Sequence, residues 1–166
     1  MSSLHVFCRV AAVALIFSIA IAGGIKAAPS ISDLIKSRQD KLRDMGGALK
    51  GIDDELKKRN PDWDNVIGPA VETLQSRGTY LLEWFPKGSG PETGLKTYAL
   101  PALWQKPDDF TKLGKAMMAE TAKLKQIAST KDAAALRTEV AVVGKSCKAC
   151  HDSYRSPDYE KENEDN

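Results

Sequence analysis

DAAALRTEVAVVGKSCKACHDSY, residues 132–154, is the stretch on which the reading of this chain turns. Leu136, Val140, Val143, Cys147, Cys150 and Tyr154 step by four, three, four, three and four, the spacing of a single helical face. On that helix Cys147 and Cys150 share a face and His151 lies one turn from Cys147. The string Cys147-Lys148-Ala149-Cys150-His151 has the C-x-x-C-H spacing of a haem attachment motif. Its two thiols add across the vinyl groups of the porphyrin, and the adjacent imidazole reaches the iron from one side.

Three other readings of the string are weaker on chemistry. A structural zinc site needs about four protein ligands, and this neighbourhood offers two cysteines and one histidine. A redox dithiol of the thioredoxin type expects a βαβ setting, and no strand pattern lies nearby. A structural disulfide between positions three apart on a continuous helix is strained.

Outward from the motif, the N-terminus reads as a secretory signal over residues 1–28, with cleavage between 22 and 28. Arg9 precedes Val10–Ala22, which is apolar apart from Ser18. As a helix that stretch spans about 20 Å, short of the roughly 30 Å hydrocarbon core of a bilayer, so a signal is the better reading than an anchor. Its loss removes Cys8 and His5 and leaves Cys147, Cys150 and His151 as the cysteines and histidine of the mature chain. A periplasmic location and no membrane association after cleavage are the corresponding expectations.

Of 24 basic and 22 acidic side chains, Arg9 and Lys26 fall in the first 28 residues, which hold no acid, so the remainder balances. Such a chain has no general electrostatic claim on nucleic acid. Ala, Leu, Lys and Glu predominate, which favours helices over strands.

Three further segments carry helical stripes. The first starts at Ser30 or Ser32 as N-cap and runs to about Arg59, with Leu42, Met45, Leu49, Ile52 and Leu56 inward; Asn60-Pro61 stops it. The second spans roughly Trp63–Phe85, its regular part beginning at Gly68-Pro69, with Ile67, Ala70, Leu74, Leu81 and Trp84 on one face. The third opens at Pro107-Asp108 and runs to Ala128, with Phe110, Leu113, Met117, Leu124 and Ile127 inward. Residues 87–106 lack a helical pattern and form a functional loop or a crossover around the bundle. Residues 156–166 are acidic, lack core positions and read as a disordered tail. The expected fold is therefore all-α: an antiparallel four-helix bundle over residues 29–155 with the haem attachment motif near its C-terminal end.

The motif's position bears on the iron's sixth site. Class I c-type cytochromes carry it near the N-terminus, with a methionine ligand later; here no Met or His follows His151. A second axial ligand must come from upstream, with Met45, Met117, Met118 or a lysine as candidates, or the site is empty.

Four pieces, in order, resemble the cytochrome c prime family of class II c-type cytochromes. They are Arg38-Gln39-Asp40-Lys41-Leu42 with Met45-Gly46; Trp84-Phe85-Pro86-Lys87-Gly88-Ser89; Leu100-Pro101-Ala102-Leu103-Trp104 with Phe110; and Gly144-Lys145-Ser146 leading into the motif and on to Tyr154-Arg155. The resemblance implies one covalently bound haem c, His151 as the iron ligand, and a homodimer paired through the first two helices. It also implies Leu42 at the distal position where low-spin relatives carry methionine, Arg38 near a haem propionate, and Arg155 beside the proximal pocket. Leucine has no lone pair for iron, so the implied haem is five-coordinate and high-spin, binding NO or CO. Electron transfer with redox partner proteins is the other role, and a low-spin form ligated by Met45 is the alternative. An enzyme is not expected, because the distal face is apolar and carries no histidine for acid–base work.

Overall fold

The computed structural model describes residues 28–164; the signal expected over residues 1–28 lies outside them except for its last position. Helix α1, Ile31–Leu56, opens on Ser30. The Asp33 amide donates to Ser30 Oγ at 3.1 Å while the Ser30 amide donates to the Asp33 carboxylate at 3.3 Å, so two otherwise unpaired N–H groups are satisfied reciprocally. The helix closes at the buried Glu55 carboxylate, which accepts from the Asp62 amide at 2.9 Å and from Lys58 Nζ at 2.6 Å.

A π-helical turn, Trp63–Ile67, runs directly into α2, Gly68–Thr79. Pro69 sits in the first turn, where its missing N–H costs nothing. The helix expected to reach Phe85 stops earlier, and Leu81–Trp84 form a 3₁₀ turn. Leu81 and Trp84 are three residues apart, and the tighter pitch of three residues per turn places both on one side, where both are buried.

The crossover holds more local structure than its sequence pattern indicated. Pro91–Thr93 make a 3₁₀ turn that ends on Gly94 at φ 72°, in the left-handed region, and α3 is a single turn, Ala102–Gln105. The Trp104 indole donates to the carbonyls of Phe85 and Pro86 at 3.2 and 3.1 Å, which folds the crossover back on its own start. Helices α4, Pro107–Ala128, and α5, Ala133–Tyr154, follow the sequence stripes. Asp132 caps α5 by accepting from the Ala134 and Ala135 amides at 2.9 and 3.0 Å.

Helix α1 packs on α2 and α5, α2 on α4, and α4 on α5, so the four long helices close into a ring. Met45, Ile52, Leu74, Met117, Leu124 and Val143 fill its interior. A satellite cluster of Leu103, Phe110 and Tyr154 lies under the crossover. There Phe110 meets Phe85 and Tyr154 edge-on, with ring centroids 5.1 and 5.5 Å apart. Among the described residues no helix is long and apolar enough to cross a membrane.

The C-terminal stretch departs from the expectation of disorder. Residues Asp158–Glu164 form a further helix, α6. Its support comes from the crossover rather than from a stripe of its own: Tyr98 and Tyr159 meet edge-on at 5.1 Å, Tyr98 donates to the Glu162 carboxylate at 2.8 Å, and Lys96 pairs with Glu162.

The α2–α4 contact is close at Gly78, where a methyl group would lie 2.7 Å from Thr121 Oγ1. Thr121 is buried and β-branched, so it has little freedom to yield. Gly78→Ala is expected to destabilise the protein by about 1–3 kcal/mol through overpacking, read from the urea midpoint. Adding Thr121→Ala should return part of the loss; an unshifted midpoint in the single variant would contradict this packing.

Candidate cofactor site

Between α1 and α5 lies a cavity of about 850 Å³, within the roughly 300–1,000 Å³ usual for cofactor and small-molecule sites. Helix α5 supplies Cys147, Cys150, His151 and Tyr154 to it, and α1 supplies Arg38, Leu42, Met45 and Leu49. Phe85, Phe110 and Met117 also line it, and Thr97, Tyr98 and Arg155 stand among its more polar members.

The α5 wall is fixed at its C-terminal end by backbone bonds to the crossover. The Leu100 amide donates to the Tyr154 carbonyl at 2.8 Å, and the Ser156 amide donates to the Tyr98 carbonyl at 2.7 Å. Burial pushes the Cys147 thiol upward, and burial with the neighbouring Cys147 pushes Cys150 up to about 11. Both sulfurs are free and not joined in a disulfide. A redox dithiol needs at least one thiol depressed toward neutrality, the opposite of what this wall provides. Burial, helped by the positive charge of Arg155, lowers His151 to about 4. Its ring is therefore neutral at pH 7 and has a lone pair for a metal. No group of three or more His, Cys, Asp or Glu side chains suited to a metal ion occurs among the described residues.

Arg38 is buried, although it is an arginine on a helix. Nη1 donates to Ser89 Oγ at 3.0 Å and reaches the Trp84 carbonyl at 3.5 Å; Nη2 donates to the Ser89 carbonyl at 2.8 Å and to Thr97 Oγ1 at 2.9 Å. The guanidinium also lies 4.9 Å from the Phe85 ring centre. It lines the cavity while both terminal nitrogens are committed to the crossover, a task the sequence pattern did not reveal. Gly46 and Gly47 also line the cavity, and a Cβ at either would meet no protein atom within 4 Å. Two successive glycines leave this part of α1 without side-chain cover and give a flat group room to lie against it. Bare helix on one wall, with two thiols and a neutral imidazole on the other, fits covalently attached haem.

All six residues singled out from the sequence, Arg38, Leu42, Cys147, Cys150, His151 and Arg155, line this one cavity. Sequence reasoning did not place Phe85 or Tyr98 at the site, and Tyr98 sits in a crossover without periodicity. Met117, one of the upstream methionines open as a second axial ligand, does line the cavity. In the haem-free chain, iodoacetamide alkylation of Cys150 should rise with pH through about 11. Peptide mass analysis of timed samples checks this, and rapid labelling at pH 7 would instead favour a redox dithiol.

The cytochrome c' family profile matches residues 33–155. Cytochrome c-554 of Cereibacter sphaeroides is 33% identical over 149 residues, covering 89% of this chain and 97% of its own. Cytochrome c' of Rhodopseudomonas palustris is 33% identical over 75% of this chain and 83% of its own. Among solved structures, cytochrome c' of Thermochromatium tepidum superposes with a TM-score of 0.72 at 26% identity, covering 78% of this chain and 99% of its own. The Alcaligenes xylosoxidans protein gives 0.68 at 28%, again covering 78% and 99%. With the fold, the cavity and these likenesses in agreement, this chain belongs to the cytochrome c' family, whose cofactor is covalently attached haem c.

Proposed function

We propose that this monohaem cytochrome holds its haem between α5 and α1 with an open iron face and binds NO or CO there. Cys147 and Cys150 are the attachment thiols, and His151 is the protein's one ligand to the iron. The observation that carries the reading is the pairing of walls across one cavity: thiols and a neutral imidazole on α5, and the apolar side chains Leu42, Met45 and Leu49 on α1. An iron porphyrin bound there supplies a one-electron couple and a coordination position for a diatomic ligand.

Leu42 lies half-buried against the core and covers the open face without offering a lone pair. Of the methionines left open by the sequence, Met118 does not line the cavity. The Met117 sulfur accepts from Ser146 Oγ at 3.1 Å and lies 3.8 Å from the Cys147 sulfur, on the attachment side. Met45 lines the cavity and is buried, which keeps the low-spin form with Met45 as ligand as the second reading. Arg38 secures the rim, and Arg155 stands beside His151. The apolar α1 wall lacks a group for acid–base catalysis, so the reading is a ligand-binding and electron-transferring protein rather than an enzyme.

The periplasm is the proposed location, in keeping with the apolar stretch Val10–Ala22. Variants of the Alcaligenes xylosoxidans protein have been solved in the ferrous form with NO bound and with carbon monoxide bound, which supports the choice of ligands. Pairing with a second copy through α1 and α2 is the proposed assembly. Exchange of electrons with partner proteins is the accompanying role.

The wild type is expected to be high-spin in both oxidation states by visible absorption. Leu42→Ala should raise CO affinity, because the incoming ligand no longer displaces a packed side chain. Its stability cost should lie near the low end of the leucine-to-alanine range, about 2 kcal/mol, as Leu42 is only half-buried. Met45→Leu should leave the spin state unchanged. A low-spin wild type that becomes high-spin on Met45→Leu would overturn the open-face reading in favour of Met45.

A further inference from the structure

The family match ends at Arg155, and α6 begins three residues later. This appended helix turns back onto the cofactor site. Tyr159 and Glu160 both line the cavity. The Arg155 guanidinium is held from two sides: Glu160 pairs with Nη2, and the Tyr159 ring lies 4.4 Å from the guanidinium carbon. Contacts of α6 with the crossover keep those two groups in place, through Tyr98 to Tyr159 and through Lys96 and Tyr98 to Glu162. Arg155 itself is anchored, since its amide donates to the His151 carbonyl at 3.1 Å and its backbone forms a bridge with Ala99. Arg155 is therefore a fixed positive charge one helical turn from the imidazole, and α6 delivers a negative charge to it.

We propose that Glu160 is a positioning residue that offsets the charge of Arg155 beside His151 and thereby lowers the reduction potential of the haem. This rests on the reading that His151 ligates the iron. An uncompensated cation near the iron favours the ferrous state, which carries one positive charge less than the ferric. The carboxylate of Glu160 opposes that preference. The Arg155 side chain is 27% exposed and that of Glu160 is 59% exposed, so solvent screens the pair and its influence is modest and salt-sensitive.

The test uses the haem-loaded chain and compares wild type with Glu160→Gln and Glu160→Asp by redox titration followed in the visible spectrum. Both substitutions fall on an exposed side chain, and a denaturing gel stained for haem confirms loading. At low ionic strength Glu160→Gln is expected to raise the ferrous-to-ferric ratio at fixed potential by roughly threefold. Glu160→Asp, which keeps the charge, should stay near the wild-type ratio. In 1 M salt, where the screening length is about 3 Å, the Glu160→Gln difference should shrink toward nothing. A haem-loaded Glu160→Gln protein with an unchanged or lowered potential, or a shift that persists in 1 M salt, overturns the proposal and leaves the site reading intact. A wild type without covalent haem overturns both.

Discussion

The buried guanidinium of Arg38 is the contact on which the geometry of this protein depends. Taking a charge out of water is costly unless its donors are met. Here Ser89, Thr97 and the Trp84 carbonyl meet them, with the Phe85 ring against one side. Burial pulls its pKa down, and Glu92 acts in the opposite direction; an arginine remains charged through such a shift. The acceptors all belong to the crossover or its entry, and the same crossover bonds through Tyr98 and Leu100 to the end of α5. Arg38 thus connects α1 to α5 at the rim without either helix closing the space between them. A hydrophobic residue at that position would leave Ser89 and Thr97 short of a partner and the rim without its tie.

That space separates two walls of opposite chemical character. On α5, burial holds the thiols protonated and the imidazole neutral, the states in which they attach and ligate rather than exchange disulfides. On α1, leucine and methionine side chains stand beside bare glycine positions. On the proposed reading, the first wall holds the haem and the second decides what reaches its far face. On that reading the choice between an open sixth site and a six-coordinate iron lies on α1, between Leu42 and Met45 about one turn further on.

The legible parts of the sequence were those set by local chemistry. Helix α4 begins at Pro107 and ends at Ala128 as its stripe indicated, because proline suits a first turn and the period is unbroken. The stripe from Leu136 to Tyr154 marked α5 in the same way, and the structure adds the cap that Asp132 places on its first turn. The end of α2 was not legible, since Leu81 and Trp84 fit a helical stripe until a 3₁₀ turn buries both more effectively. Helix α6 was hidden for a related reason: its acidic sequence has no core stripe, and its partners lie in the crossover more than sixty residues away. At the site, the C-x-x-C-H string located one wall by itself. Arg38 was visible as a motif residue, but its task came from Ser89 and Thr97, which no spacing rule connects to it.

The central claim is that Cys147 and Cys150 together carry one haem. Protease digestion of the haem-loaded chain followed by mass analysis of the peptide spanning residues 147–151 tests it most directly. The account predicts that this peptide is heavier by the mass of one haem, with neither thiol available for alkylation. Haem released by acid–acetone extraction, with the two cysteines recovered as free thiols or as a disulfide, would contradict it.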